Sequence, residues 1–162
     1  MKDLLDRLSS YNFFNNLLPG VLFAILATKY TTVDLTSKDL FLGFFIYYFI
    51  GLVISRIGSL VIEPVLLKVK IIKYSDYSDY IKASKEDKKI DTLLEVNNTY
   101  RTIIAMFISL ALFKGFDMLL AKYSIMVSLG PYILGFCLLI LFLWSFRKQS
   151  NYINKRVETQ NE

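Results

Sequence analysis

The sequence predicts an all-α membrane protein: a four-transmembrane-helix bundle with an N-terminal amphipathic helix and a helical cytoplasmic loop. Three observations predict it. Apolar residues make up 54% of the chain and come in blocks, whereas soluble domains interleave them with polar residues. Four of these blocks approach the roughly 20 residues that cross the hydrocarbon core. Lys and Arg are divided unevenly among the polar segments that separate the blocks, and this asymmetry sets an orientation.

The elements follow in chain order. In residues 2–9, Leu4, Leu5 and Leu8 share one helical face, while Lys2, Asp3, Asp6 and Arg7 lie elsewhere. This is the pattern of a short amphipathic helix resting on the membrane surface, and it lacks the form of a cleavable signal peptide. The first span covers about residues 11–30 and is the weakest, because Asn15 and Asn16 interrupt it and Pro19-Gly20 follows. Either it crosses with a kink at Pro19, or its first part lies in the interface; the former fits better. The polar turn that follows holds Thr and Ser residues suited to capping the next helix.

The second span covers about residues 39–66 and is nearly all apolar up to Ser55. Its residues Gly51, Ser55, Gly58 and Ser59 form a small-residue stripe that allows close helix packing. Residues 67–98 form the longest polar segment, the cytoplasmic loop. Its tandem Ser-Asp-Tyr at 75–80 reads as a turn or a helix start. Ser84 followed by Asp87 fits a capping box, which predicts one long helix over 85–121. The third span is about 99–121 and the fourth about 125–146, joined by a very short connection and closed by Arg147-Lys148 before a polar tail. Gly130-Pro131 near the start of the fourth span, like Pro19-Gly20, reads as a weak hinge signal.

Orientation comes from the charges. The N-terminal tail, the loop 67–98 and the C-terminal tail together carry thirteen Lys and Arg, against Lys29, Lys38 and Lys122 on the opposite side. The positive-inside rule places the loop and both termini in the cytoplasm. Tyr30, Tyr100, Tyr123 and Trp144 near span ends suit aromatic belts. The net charge of +5 is explained by these connections and does not call for nucleic acid as a partner.

Composition narrows the chemistry. The chain has no histidine, which removes His-based catalysis and His-based metal sites. Its single Cys137 sits in an apolar run and has no disulfide partner within the chain. No phosphate-binding loop, metal-ligand set or catalytic pair is found, so the expectation is a non-enzymatic protein without cofactor or metal. Asn97-Asn98-Thr99 matches a glycosylation sequon but falls on the predicted cytoplasmic side.

Two charged constellations remain, both costly at membrane depth. Arg56 and Glu63 are seven apart on span two, and Glu95, Asn97, Asn98 and Arg101 can complete a polar cluster at the cytoplasmic mouth. Lys114 and Asp117, three apart, can pair in the outer half of span three. The first pattern reads equally as a polar site facing the cytoplasm or as snorkelling, with Arg56 reaching the headgroups and Glu63 already interfacial. The second is more simply a neutralised pair near the outer interface.

The segments Tyr11-Asn12-Phe13-Phe14-Asn15-Asn16-Leu17-Leu18-Pro19-Gly20, Ser55-Arg56-Ile57-Gly58-Ser59 and Asn97-Asn98-Thr99-Tyr100-Arg101-Thr102 carry a resemblance. The chain resembles small four-span membrane proteins encoded in bacterial phage-defence loci, and in size and span number it is similar to the membrane component of Kiwa-type defence. The resemblance implies a membrane sensor or effector acting with a cytoplasmic partner, and it transfers no site residue. The expectation is therefore a homo-oligomeric sensor or effector, with pore formation as one output and a protein partner docking on 67–98. A small channel or transporter subunit using Lys114, Asp117 and Arg56 is the rival expectation.

Overall fold

The computed structural model describes residues 13–161. The expected N-terminal amphipathic helix at 2–9 and the start of the first span lie outside the described residues. All regular structure among the described residues is helical.

Helix α1 (Leu18–Tyr30) is entered through a π turn, Phe13–Leu17. Pro19 is the second residue of α1, and its missing N–H falls at the junction between the π turn and the α-helix. The kink expected at Pro19 is thus a change of helix type just before it. Helix α2 (Leu40–Lys68) begins at Asp39, whose carboxylate accepts from the N–H groups of Phe41 and Leu42 at 2.8 and 3.1 Å. The cap is this aspartate rather than the Thr and Ser residues before it. A second π turn, Gly58–Ile62, interrupts α2. The helix ends with Lys70 at φ 60°, the left-handed position more often given to glycine at a helix C-terminus.

Helix α3 (Tyr77–Glu86) follows a short extended stretch, and helix α4 (Lys89–Lys122) follows a break at Asp87-Lys88. This corrects the single helix expected over 85–121. Ser84 is not its cap: it lies inside α3, where its hydroxyl donates to the Ile81 carbonyl at 3.1 Å. Asp87 instead accepts from the Lys89 N–H at 2.9 Å and starts α4. Tyr123 alone separates α4 from helix α5 (Ser124–Asn161). The expected polar tail after Phe146 is the continuation of α5, and Gly130-Pro131 lies within that unbroken helix.

Among the described residues, three helices are long and apolar enough to cross a membrane: α2, α4 and α5. Helix α1 is not among them, because it is shorter and its entry carries two asparagines. The packed core lies between α1, α2 and α4, where Phe23, Ala27, Ile54, Ile62, Ala105 and Met106 are buried together. Phe23 and Phe113 pack at 5.7 Å between ring centroids. Helix α5 is attached more loosely, with 6% of its apolar stretch buried against 22% for α2 and 17% for α4. Its exposed Phe136, Leu139 and Leu143 would be a liability in water and are ordinary in hydrocarbon.

The α1–α2 crossing is very close. A Cβ on Gly51 would stand 1.6 Å from the Asn16 carbonyl oxygen, and one on Gly20 would stand 1.8 Å from that of Tyr47. Gly58 faces α4, 3.3 Å from the Ala105 side chain by the same construction. Of the small-residue stripe, Gly51 and Ser55 therefore meet the π turn that enters α1, Gly58 meets α4, and Ser59 meets α5.

Lys114 and Asp117 do pair, at 3.3 Å, but the aspartate has a larger task. Asp117 accepts from the Thr32 N–H at 3.2 and 3.3 Å and from the Thr32 hydroxyl, so it ties α4 to the α1–α2 connection. Lys114 is nearly half exposed. Asp117→Ala should lower the melting temperature of the detergent-solubilised chain by several degrees, and Lys114→Ala should leave it nearly unchanged. Equal effects would mean that the ion pair rather than the loop clamp matters.

Candidate functional site

The polar residues that interrupt the helices converge at one end of the bundle. There a cavity of 1070 Å³ opens between α2, α4 and α5, with α3 and the stretch before it forming the remaining wall. Both π turns border it, through Asn15 and Asn16 on one side and Ser59 and Leu60 on the other. Such turns often accompany functional sites, because they redirect side chains that an α-helix would place elsewhere.

Glu63 is the centre of the arrangement. Its carboxylate accepts from the Arg101 guanidinium of α4 and, at 3.4 Å, from the Lys148 ammonium of α5. Lys148 also donates to the Ser59 carbonyl at 2.7 Å and to the Ser59 hydroxyl at 2.8 Å. One buried carboxylate thereby joins three helices. Deeper in the bundle, the Thr102 hydroxyl has two acceptors for its one proton, the Asn15 side-chain oxygen at 3.0 Å and the Asn98 carbonyl at 2.9 Å. The Asn15 amide donates to Ser55 at 3.4 Å and to Asn16 at 3.3 Å, and Asn16 reaches Tyr48 at 3.4 Å. The asparagines that weaken span one as a hydrophobic segment are thus satisfied within the protein, as buried polar groups must be.

Depth follows from helix geometry. Counting back from the turn at Tyr123 at 1.5 Å per residue, Arg101 stands about 33 Å along α4 and Lys148 about 38 Å along α5. The hydrocarbon core is about 30 Å thick. A bilayer with one edge of its hydrocarbon core at the Tyr123 turn would therefore have its opposite headgroups near the ion-paired centre.

Of the residues expected in the polar cluster, Arg56, Glu63, Asn98 and Arg101 line the cavity. Asn97 lies beside it, donating to the Tyr74 hydroxyl at 3.1 Å and fastening α4 to the stretch before α3. Glu95 is exposed and does not line the cavity. Arg56 and Glu63 both border the cavity, as expected of cluster members, but do not pair with each other. The intervening π turn Gly58–Ile62 advances by less than 100° per residue, so Glu63 turns towards Arg101 and Lys148. Sequence reading missed Asn15, Thr102, Ser145, Lys148 and Tyr152. The last three have a legible signal: Ser145, Lys148, Gln149, Tyr152, Lys155 and Arg156 recur at helical spacing and all line the cavity.

The cavity is electropositive. Arg56, Lys73, Arg101, Lys148, Lys155 and Arg156 line it, against the carboxylates of Glu63, Asp76 and Asp79. Tyrosines from three segments add hydroxyls and ring faces, with Tyr77 6.2 Å from both Tyr80 and Tyr152 between centroids. Burial, and then the Asp91 carboxylate that accepts its hydroxyl at 3.3 Å, push the Tyr80 phenol up, so it stays protonated at physiological pH. Among the described residues no cluster of three or more His, Cys, Asp or Glu side chains is placed to hold a metal ion. Compared with known protein families, with curated proteins and with solved structures, the chain matches none.

Thr102 is fully buried, and its hydroxyl lies at ordinary hydrogen-bond distance from Asn15. Thr102→Val should therefore cost about 1–3 kcal/mol, the range for stranding a buried polar partner. Chemical unfolding in mixed micelles measures it; a cost near zero would mean that Asn15 is satisfied without Thr102.

Proposed function

We propose that the chain is a non-enzymatic, multi-pass protein of the bacterial cytoplasmic membrane that acts as an oligomeric sensor or effector. It crosses four times, with α1 as the fourth span and the cavity facing the cytoplasm. A signal or protein partner engages the segment 67–98, and the spans pass the event on.

One observation carries this reading. The cavity is shared by the polar segment, by α2, α4 and α5, and by the π turn that enters α1, and its central carboxylate is held by cations from two spans. Anything that binds there perturbs the relative positions of α2, α4 and α5 together. The weak attachment of α5 leaves a spanning helix free to pack against lipid or a second copy. The positive-inside asymmetry supports the orientation. A role in phage defence rests on the segment resemblance at residues 11–20, 55–59 and 97–102. The rival channel built on Lys114 and Asp117 is less favoured, because Asp117 is occupied as a loop clamp.

Reconstitution tests the proposal. The full chain in native nanodiscs should run as a discrete oligomer. In potassium-loaded proteoliposomes, Glu63→Gln should change ion flux relative to the unsubstituted chain. A monomer whose liposomes leak no more than empty ones, with or without Glu63, would overturn it.

A further inference from the structure

The cavity holds more donors and positive charge than the protein itself uses. Glu63 is already shared by Arg101 and Lys148. Arg56, Lys73, Lys155 and Arg156 have no carboxylate within ion-pairing distance among the described residues. Two buried donors on the cavity wall also lack partners among the described residues: the Arg101 Nε and the Ser145 hydroxyl. Ser145 is 9% exposed, so solvent does not readily satisfy it. Buried donors without acceptors are costly and uncommon. Asp76 and Asp79 offset only part of the positive charge, which excludes a cationic ligand as the best fit.

We infer that the cavity is a binding site for a phosphate group. The excess cations supply charge, Arg101 Nε and Ser145 supply buried donors, and the tyrosine hydroxyls supply further ones. The chemistry is shared by two sources, an anionic lipid headgroup and a soluble phosphate compound. The cavity lies at the end of α4 and α5 away from the Tyr123 turn, where in the proposed orientation either can enter. The inference deepens the sensor reading by naming the chemical class that its cavity receives.

The test uses the full chain in nanodiscs. In one arm, inorganic pyrophosphate is titrated into phosphatidylcholine nanodiscs and binding is read by calorimetry. In the other, phosphatidylglycerol is doped into the nanodisc and its retention on the protein is read by native mass spectrometry. Saturable binding of pyrophosphate assigns a soluble ligand; selective retention of phosphatidylglycerol with no pyrophosphate binding assigns a lipid headgroup. In either case Arg56→Gln/Lys73→Gln should weaken binding about tenfold or more, the effect of losing charge-assisted hydrogen bonds. Neither residue takes part in the ion pairs that hold the helices, so the variant should fold. Ser145→Ala should weaken binding in the same direction without loss of thermal stability. No binding in either arm, or binding indifferent to both variants, would overturn the inference. Binding without any change in ion flux or oligomeric state would instead retain the site and sink the sensor reading.

Discussion

Glu63→Gln is expected to destabilise the protein by about 3–5 kcal/mol, the range for removing one partner from a buried ion pair. Glu63 is 7% exposed, and its carboxylate is the one acid that both Arg101 and Lys148 contact. Glutamine keeps the size and one acceptor but leaves two cations facing each other across α4 and α5. The loss should be cooperative across three helices, seen as an earlier and broader thermal transition in detergent. Removing Arg101 as well should recover part of it: Glu63→Gln/Arg101→Gln should cost less than the sum of the single changes, with a coupling of about 0.5–3 kcal/mol. Additive costs would mean that the pair does not organise this end of the bundle.

Gly51→Ala carries the second large effect. The added methyl would meet the Asn16 backbone at 1.6 Å, and backbone cannot rotate aside as a side chain can. The helices must separate by more than an ångström, which breaks the Asn15–Ser55 contact next to the crossing. Overpacking ordinarily costs about 1–3 kcal/mol, and a backbone obstacle places this variant at the upper end, about 3 kcal/mol. Gly115→Ala is the control, since nothing lies within 4 Å of its Cβ direction. Unfolding midpoints in the same micelle should separate the two variants clearly. If both behave alike, the α1–α2 crossing is not the close contact described.

The difference between these positions shows what the sequence reveals and what it hides. The apolar blocks that form α2, α4 and α5 are legible because hydrocarbon demands long, uncharged stretches. The stripe containing Gly51 is legible for the same reason, since small residues at helical spacing have few other uses in a membrane. Its partners are not legible: that Gly51 meets Asn16 and Gly58 meets Ala105 depends on which helices pack together.

The site was half visible. Arg56, Glu63 and Arg101 stand out because charge near a span needs an explanation. Which of them pair was hidden by the π turn at Gly58–Ile62, which departs from 100° per residue and turns Glu63 towards Arg101 and Lys148. Asn15 and Asn16 read as defects in a span because hydropathy counts their cost and not their hydrogen bonds. Lys148 read as a stop signal because the helix was expected to end there; α5 continues to Asn161, and its polar stripe becomes a wall of the cavity. The break at Asp87-Lys88 was missed because Ser84 and Asp87 satisfy the capping-box spacing, while the cap that forms is Asp87 on Lys89.

The measurement that bears most directly on the account is the sidedness of the chain in the membrane. Cys137 is the one cysteine, so a Cys137→Ser background accepts single reporter cysteines. Four exposed positions serve: Lys38 between α1 and α2, Lys122 at the α4–α5 turn, Lys85 on α3, and Glu158 near the end of α5. Each is challenged with a membrane-impermeant maleimide, first on intact spheroplasts and then on inverted vesicles. The account predicts that Lys38→Cys and Lys122→Cys react from outside, and that Lys85→Cys and Glu158→Cys react from the cytoplasmic face alone. Labelling of Lys85→Cys from outside would place the cavity on the wrong side of the membrane and contradict the account.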